Sequence, residues 1–439
     1  MTAPEITASD RTMLETLQRD TFEYFVRETN PRTGLTADKT EPGSPSSVTA
    51  TGLCLSAWCV AVERGWMSRA AATARTLTTL RFFHSSAQGP EPDSTGYRGF
   101  YYHFLDMNAG RRAWKCELST IDTAFLIAGV LTVGSYFAGE SADEREIRTL
   151  ADALYRRVEW TWASNGAATI GHGWTPEHGF LKSSWNDGYS EALLLYVLAL
   201  GSPTFPIDPQ GYREWTATFE CKTAYGLAYI YAGPLFIHQL SQMWIDFRGV
   251  RDDRTRELGW DYFENSRRAA LAQQRYAIEN PSGFTGYSRD GWGFTAGAGP
   301  GPTVRVVEGV RREFFGYKAR GAPFGPDDGT ISPWAVVASL PFAPDVVCAT
   351  IRHAIARLAP NRQHRGGFDA SFNSTFVEED KAKQWVSPWR FGLNEGPIVL
   401  MIENYLSEFV WSIFMRCPYV VAGLRSAGFR AVGRPCSQH

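Results

Sequence analysis

The chain has 439 residues, with 44 Lys and Arg set against 46 Asp and Glu for a net charge of -2. That balance excludes nucleic acid as a partner, because binding it needs clustered cations to neutralise phosphates. No apolar run reaches bilayer length, so no membrane partner is expected either. The length suits one large domain spanning 1–439, since a closed ring of helices grows past the usual domain size without a linker.

Taken in chain order, the pattern is helical. Ser9 reads as an N-cap before Leu14, Leu17, Phe22 and Phe25 at helical spacing, and Asn30-Pro31 ends that helix. Apolar or amphipathic segments follow at 48–66, 69–84, 118–137 and 142–162. Residues 192–200 are apolar on every side, as in a helix buried all round. Further helices are expected at 212–219, 224–247, 255–279, 334–340, 344–358 and 396–424. Period-two alternation is hard to find over more than four residues. The expectation is an all-α fold, an (α/α)6 barrel with long Gly- and aromatic-rich loops around a central cleft.

Cysteine adds little: there are seven, and no CxxC pair suggests a zinc ribbon or redox site. Residues 1–10 lack a basic stretch followed by an apolar one, so no signal peptide is visible and cytoplasm and periplasm stay open. Aromatic residues are abundant, at 14%. Many stand among Gly, Asp, Asn and Ser in loops, where flat rings can cover the C–H faces of a sugar.

Glycosidic hydrolysis needs two carboxyl groups flanking the bond, and two places offer them at the start of apolar helices. In the first, 114–122, Glu117 lies at or before the first turn and Asp122 stands next to Ile121. Their five-residue step is about 140° around a helix, so the two do not share a face if both are helical. The second is Trp185-Asn-Asp-Gly-Tyr189-Ser-Glu191. There the helix dipole favours an ionised Glu191, suited to a base or nucleophile, whereas desolvation by Trp185 and Tyr189 favours a protonated acid. Sugar contacts are expected from Trp185, Tyr189, Trp292 and Asp290, and from Tyr101 in the aromatic loop 96–104. His172, Asp369 in Gly366-Gly-Phe-Asp369, Asp327 with Asp328, and Glu395 are further candidates. No His/Cys/Asp group has ligand spacing, so neither metal nor cofactor is expected.

Together these segments resemble the glucoamylase-like domain family of bacterial glycoside hydrolases, typified by β-1,2-glucanases. The likeness runs in order through Asn30-Pro-x-x-Gly34-Leu35, Glu117-x-x-x-x-Asp122-Thr-Ala124, Trp185-x-x-Gly-Tyr189-x-Glu191 and Gly233-Pro-Leu-Phe-x-His238-Gln239. It continues through Trp244-x-Asp-Phe-Arg248, Gly291-Trp292-Gly-x-Thr-Ala296, Asp328-Gly-Thr-Ile331 and Gly396-Pro-x-x-x-Met-Ile-Glu-Asn404. The resemblance implies an (α/α)6 barrel, no metal, and acid catalysis on linear β-1,2-glucan by Glu191 with Asp122 or Glu117. Related modules in cyclic β-1,2-glucan synthases transfer glucan chains instead. Two positions depart from the pattern. Ala296 runs into Gly-Ala-Gly-Pro300 where an acidic residue is common, and Asn394 stands where Asp is expected. Rival readings are an exo-acting enzyme, a different β-glucanase, a transglycosylase and a glucan-binding protein without catalysis.

Overall fold

The structure, a computed structural model, describes residues 7–358, 367–378 and 383–432. Two kinds of helix alternate along it. Amphipathic helices at Ala8–Glu28, Arg69–Ser85, Ala142–Arg156, Pro209–Ala217, Tyr262–Glu279 and Pro344–Leu358 keep one face in solvent. In Ala142–Arg156 the buried Ile147, Leu150, Ala151 and Leu154 recur at helical spacing, which gives a single apolar stripe.

Between these come helices buried on most sides: Val48–Glu63, Thr120–Tyr136, Leu193–Leu200, Leu235–Gln239, Pro333–Val337 and Gly392–Ser407. Their contacts run from one to the next. Val48–Glu63 packs on Thr120–Tyr136 and on Gly392–Ser407, Thr120–Tyr136 meets Leu193–Leu200, and Pro333–Val337 meets Gly392–Ser407. Leu194 N–H donates to Ser241 Oγ at 3.0 Å, and Gln239 Nε2 donates to the Ala335 carbonyl at 2.6 Å. All six buried helices begin near one cleft, which is bordered by Thr49, Asp122, Glu191, Phe236, Trp334 and Asn394 from their leading ends.

A glycine pair sets how closely two of these helices approach. A Cβ on Gly52 would stand 2.4 Å from the Phe125 carbonyl oxygen, and one on Gly129 would stand 2.0 Å from that of Gly52. The backbones therefore touch, and any side chain there would push the helices apart. Since Thr49 and Asp122 lie one turn from this crossing, the glycines position part of the cleft.

Several expected elements differ. The first helix is capped by Thr7, not Ser9, with the Asp10 N–H donating to its hydroxyl. Residues 224–247 are not one helix. Cys221–Ala224 and Leu227–Ile230 pair across the turn Tyr225-Gly226, where both residues have positive φ, and only Leu235–Gln239 and a 3-10 turn at Leu240–Met243 are helical. Left-handed Gly259 separates Asp253–Leu258 from Tyr262–Glu279. Left-handed Glu408 and then Pro418 cut the last segment into three helices. Short strands are more numerous than expected, including five in the order 96–97, 100–102, 118–119, 173–175 and 179–180, all antiparallel. Among the described residues no helix is long and apolar enough to cross a membrane.

Candidate active site

The cleft has a volume of about 520 Å³ and brings Asp38, Asp122 and Glu191 to one wall system. Asp122 is the most firmly held. It sits in the first turn of Thr120–Tyr136, whose N-cap Ser119 accepts from the Asp122 N–H at 3.2 Å. Its Oδ2 accepts from Ser119 Oγ at 2.5 Å and its Oδ1 from Thr49 Oγ1 at 2.6 Å. His103 Nε2 faces the same Oδ1 at 3.5 Å. Two hydroxyl donors and a neighbouring cation thus surround this carboxyl group.

His103 is that cation. Burial favours the neutral ring, but Asp122, Glu117 and Asp38 together outweigh it and push the imidazole up to about 9. At neutral pH it is protonated, and its Nδ1–H donates to Glu117 Oε1 at 2.9 Å. This bond outweighs the burial of Glu117 and holds its carboxyl below the usual range. Glu117 itself does not border the cleft. The ligand-type atoms of His103, Glu117 and Asp122 all lie within 4.8 Å of one another, a grouping that residue spacing did not reveal. The protonated imidazole makes it a carboxylate–cation–carboxylate row, and an ion held there would have to displace the imidazole proton.

Glu191 has the opposite environment. It precedes the N-cap Ala192 of Leu193–Leu200 instead of lying in the first turn, so the dipole expected to ionise it acts less directly. Burial pushes its carboxyl up to about 7, and the negative charge of Asp122 adds to the rise. The alternative left open by the sequence is thus weighted toward a protonated Glu191. Ser241 Oγ donates to its backbone carbonyl at 2.7 Å and fixes the chain there.

Asp38, His103, Thr49, Trp114 and Tyr317 were not singled out by sequence reasoning, yet all border the cleft. Trp114 and Tyr317 are 63% and 62% exposed, which leaves their ring faces free. The Trp114 backbone has φ 54°, and the ring lies 5.0 Å from that of Phe104. Desolvation and then the charges of Asp38 and Asp122 push the Tyr317 phenol up to about 12. A large exposed aromatic among polar loop residues was the available signal for both.

The expected sugar contacts fare differently. Trp292 is wholly buried, with its indole N–H donating to Thr350 Oγ1 at 2.9 Å, so it offers no face to a substrate. Tyr189 is 6% exposed and stacks on Tyr262 at 5.8 Å. Tyr101 is 1% exposed, its hydroxyl held by Arg157 and the Phe83 carbonyl. Asp290 borders a separate hollow of about 20 Å³ beside Trp292. Trp185 and His172 lie ring to ring at 3.9 Å, and the Trp185 N–H donates to Thr120 Oγ1 at 3.1 Å; neither borders the cleft.

Glu395 is spent on a buried ion pair with Arg390 at 2.5 Å, whose guanidinium also feels the charge of buried Asp369. Gly366 of the Asp369 motif lies outside the described residues. Asp328 is paired with buried Arg320 at 2.6 Å, and Asp327 accepts from Tyr276 and Tyr287. These carboxylates fix loops and do not present free oxygens to a sugar.

The family model described as "Putative glucoamylase" matches residues 183–418. The chain belongs to this family. Over 95% of its length it is 27% identical to the exo β-1,2-glucooligosaccharide sophorohydrolase (non-reducing end) of Parabacteroides distasonis, and it spans 58% of that relative's length. The endo-β-1,2-glucanase of Chitinophaga pinensis, solved with sophorotriose and glucose, superposes with a TM-score of 0.83 at 26% identity, covering 97% of this chain and 99% of that one. The β-1,2-glucanase of Parabacteroides distasonis gives 0.83 at 26% identity, covering 97% of this chain and 61% of that one.

Proposed function

We propose that this protein is a glycoside hydrolase that cuts linear β-1,2-glucan internally. One observation carries the reading: a half-buried, proton-retaining Glu191 shares a cleft with an Asp122 held by two hydroxyl donors and a cation. Glycoside hydrolysis asks for such a division, one carboxyl as proton donor and another left charged. Glu191 donates to the leaving glycosidic oxygen, and the charge of Asp122 opposes the positive charge that builds on the sugar ring. Trp114 and Tyr317 supply faces for glucose units. The β-1,2 linkage rests on the relatives' substrates, and the circuit of buried helices supports an (α/α)6 barrel in one domain.

The test is incubation with linear β-1,2-glucan and chromatography of the products over time. A spread of oligosaccharides at early times is expected; a disaccharide as the sole early product would make the enzyme exo-acting. No step requires a metal, so prolonged chelation should leave the rate unchanged. Loss of rate that Zn²⁺ or Ca²⁺ restores would show that the carboxylate–His103 row holds an ion.

A further inference from the structure

A proton donor accounts for half of the hydrolysis; something must also take a proton from the attacking water. Resting on the functional reading above, we propose that Asp38 is that base and that Asp122 is not.

The cleft offers few acceptors. Both oxygens of Asp122 are engaged, Oδ1 by Thr49 and His103 and Oδ2 by Ser119. Each oxygen already accepts from a hydroxyl, so a water there would have to compete for the remaining lone-pair sites. Glu191 is the donor and cannot begin the step ionised. Asn394 borders the cleft but has no basic atom in its amide. Asp38 remains. It borders the same cleft, and among the described residues no hydrogen bond reaches its carboxylate, whereas its backbone is pinned by Pro45 and Gly392. Its oxygens are thus free for water on a fixed chain.

The surrounding charges suit the role. Burial raises the Asp38 carboxyl, the cations His103 and Lys39 lower it, and Asp122 and Glu41 raise it, leaving it at about 6. The phenols of Tyr24 and Tyr317 also lie within its field. A base poised just below neutrality combines the ionised form with useful proton affinity. In the step, Asp38 removes one proton from water, the water oxygen bonds to C1, and the C1–O bond breaks. Glu191 protonates the departing oxygen. The site ends with Asp38 protonated and Glu191 ionised, so one proton returns through solvent.

The experiment compares wild type, Asp38→Asn and Asp38→Ala on the glucan the wild type cleaves. Asp38→Asn should keep its thermal midpoint and KM but lose about a hundredfold in kcat, the scale of a positioned base. The acid limb of the wild-type pH profile, falling below about 6 as Asp38 gains its proton, should vanish from the residual rate. Azide should restore turnover of Asp38→Ala by taking the place of water, and the product should be the α-glycosyl azide. A kcat within tenfold of wild type in Asp38→Asn overturns the proposal. Loss of rate without azide rescue also overturns it, leaving Asp38 a substrate-binding group. If wild type cleaves no glucan, the functional reading falls and this proposal falls with it; an active wild type with an inactive Glu191→Gln and a normal Asp38→Asn removes this proposal alone.

Discussion

Glu191→Gln is expected to lower kcat by at least about a hundredfold, the lower end of what a positioned acid contributes. The amide keeps the shape of the side chain but has no proton to give. Stability should not suffer, because Glu191 holds its proton up to about pH 7, so the variant replaces one neutral group by another. The wild-type rate should fall above about pH 7, as the carboxyl ionises and donation stops. A leaving group that needs no proton, such as a nitrophenol, should recover much of the lost rate in Glu191→Gln. Asp122→Asn should lose comparable rate without that recovery, because its charge acts on the sugar and not on the departing oxygen. Near-normal turnover of natural substrate by Glu191→Gln would place the proton donor elsewhere.

The helical architecture was largely legible because it rests on local patterns. Amphipathic spacing in 142–156 and the unbroken apolar run of 193–200 each specify an environment from neighbouring residues alone. Residues 224–247 do not form the expected single helix because their apolar content suits either period, and the positive φ at Tyr225 and Gly226 that makes a hairpin decides between them. Glu191 and Asp122 stand out as candidates at the mouths of apolar helices, where a carboxylate needs a reason. Asp38 and His103 escaped that test. Asp38 stands ten residues before its helix, and His103 gains meaning only through Glu117 and Asp122, which the fold brings to it from another segment. Long-range pairing of this kind leaves no mark on local sequence.

Trp292 stands among glycines, a pattern that reads as an exposed loop, yet its ring is wholly buried. A Cβ on Gly293 would meet Val336 at 2.8 Å and the Ser332 carbonyl oxygen at 2.9 Å. The glycine therefore serves close packing, and the indole beside it is sealed with its N–H satisfied by Thr350. Trp292→Ala should cost about 3–5 kcal/mol of stability, the range for emptying a large aromatic site in a core. The part of the population that stays folded should keep its KM. Trp114→Ala should do the reverse. Its ring is 63% exposed at the cleft, so little packing is lost and the denaturation midpoint should hold. Losing an aromatic face worth about 0.5–1.5 kcal/mol should raise KM by about two- to tenfold. Denaturant midpoints and KM for both variants give the answer. A stable Trp292→Ala with weakened substrate use would return that residue to the binding surface, and a Trp114→Ala with unchanged KM would remove it.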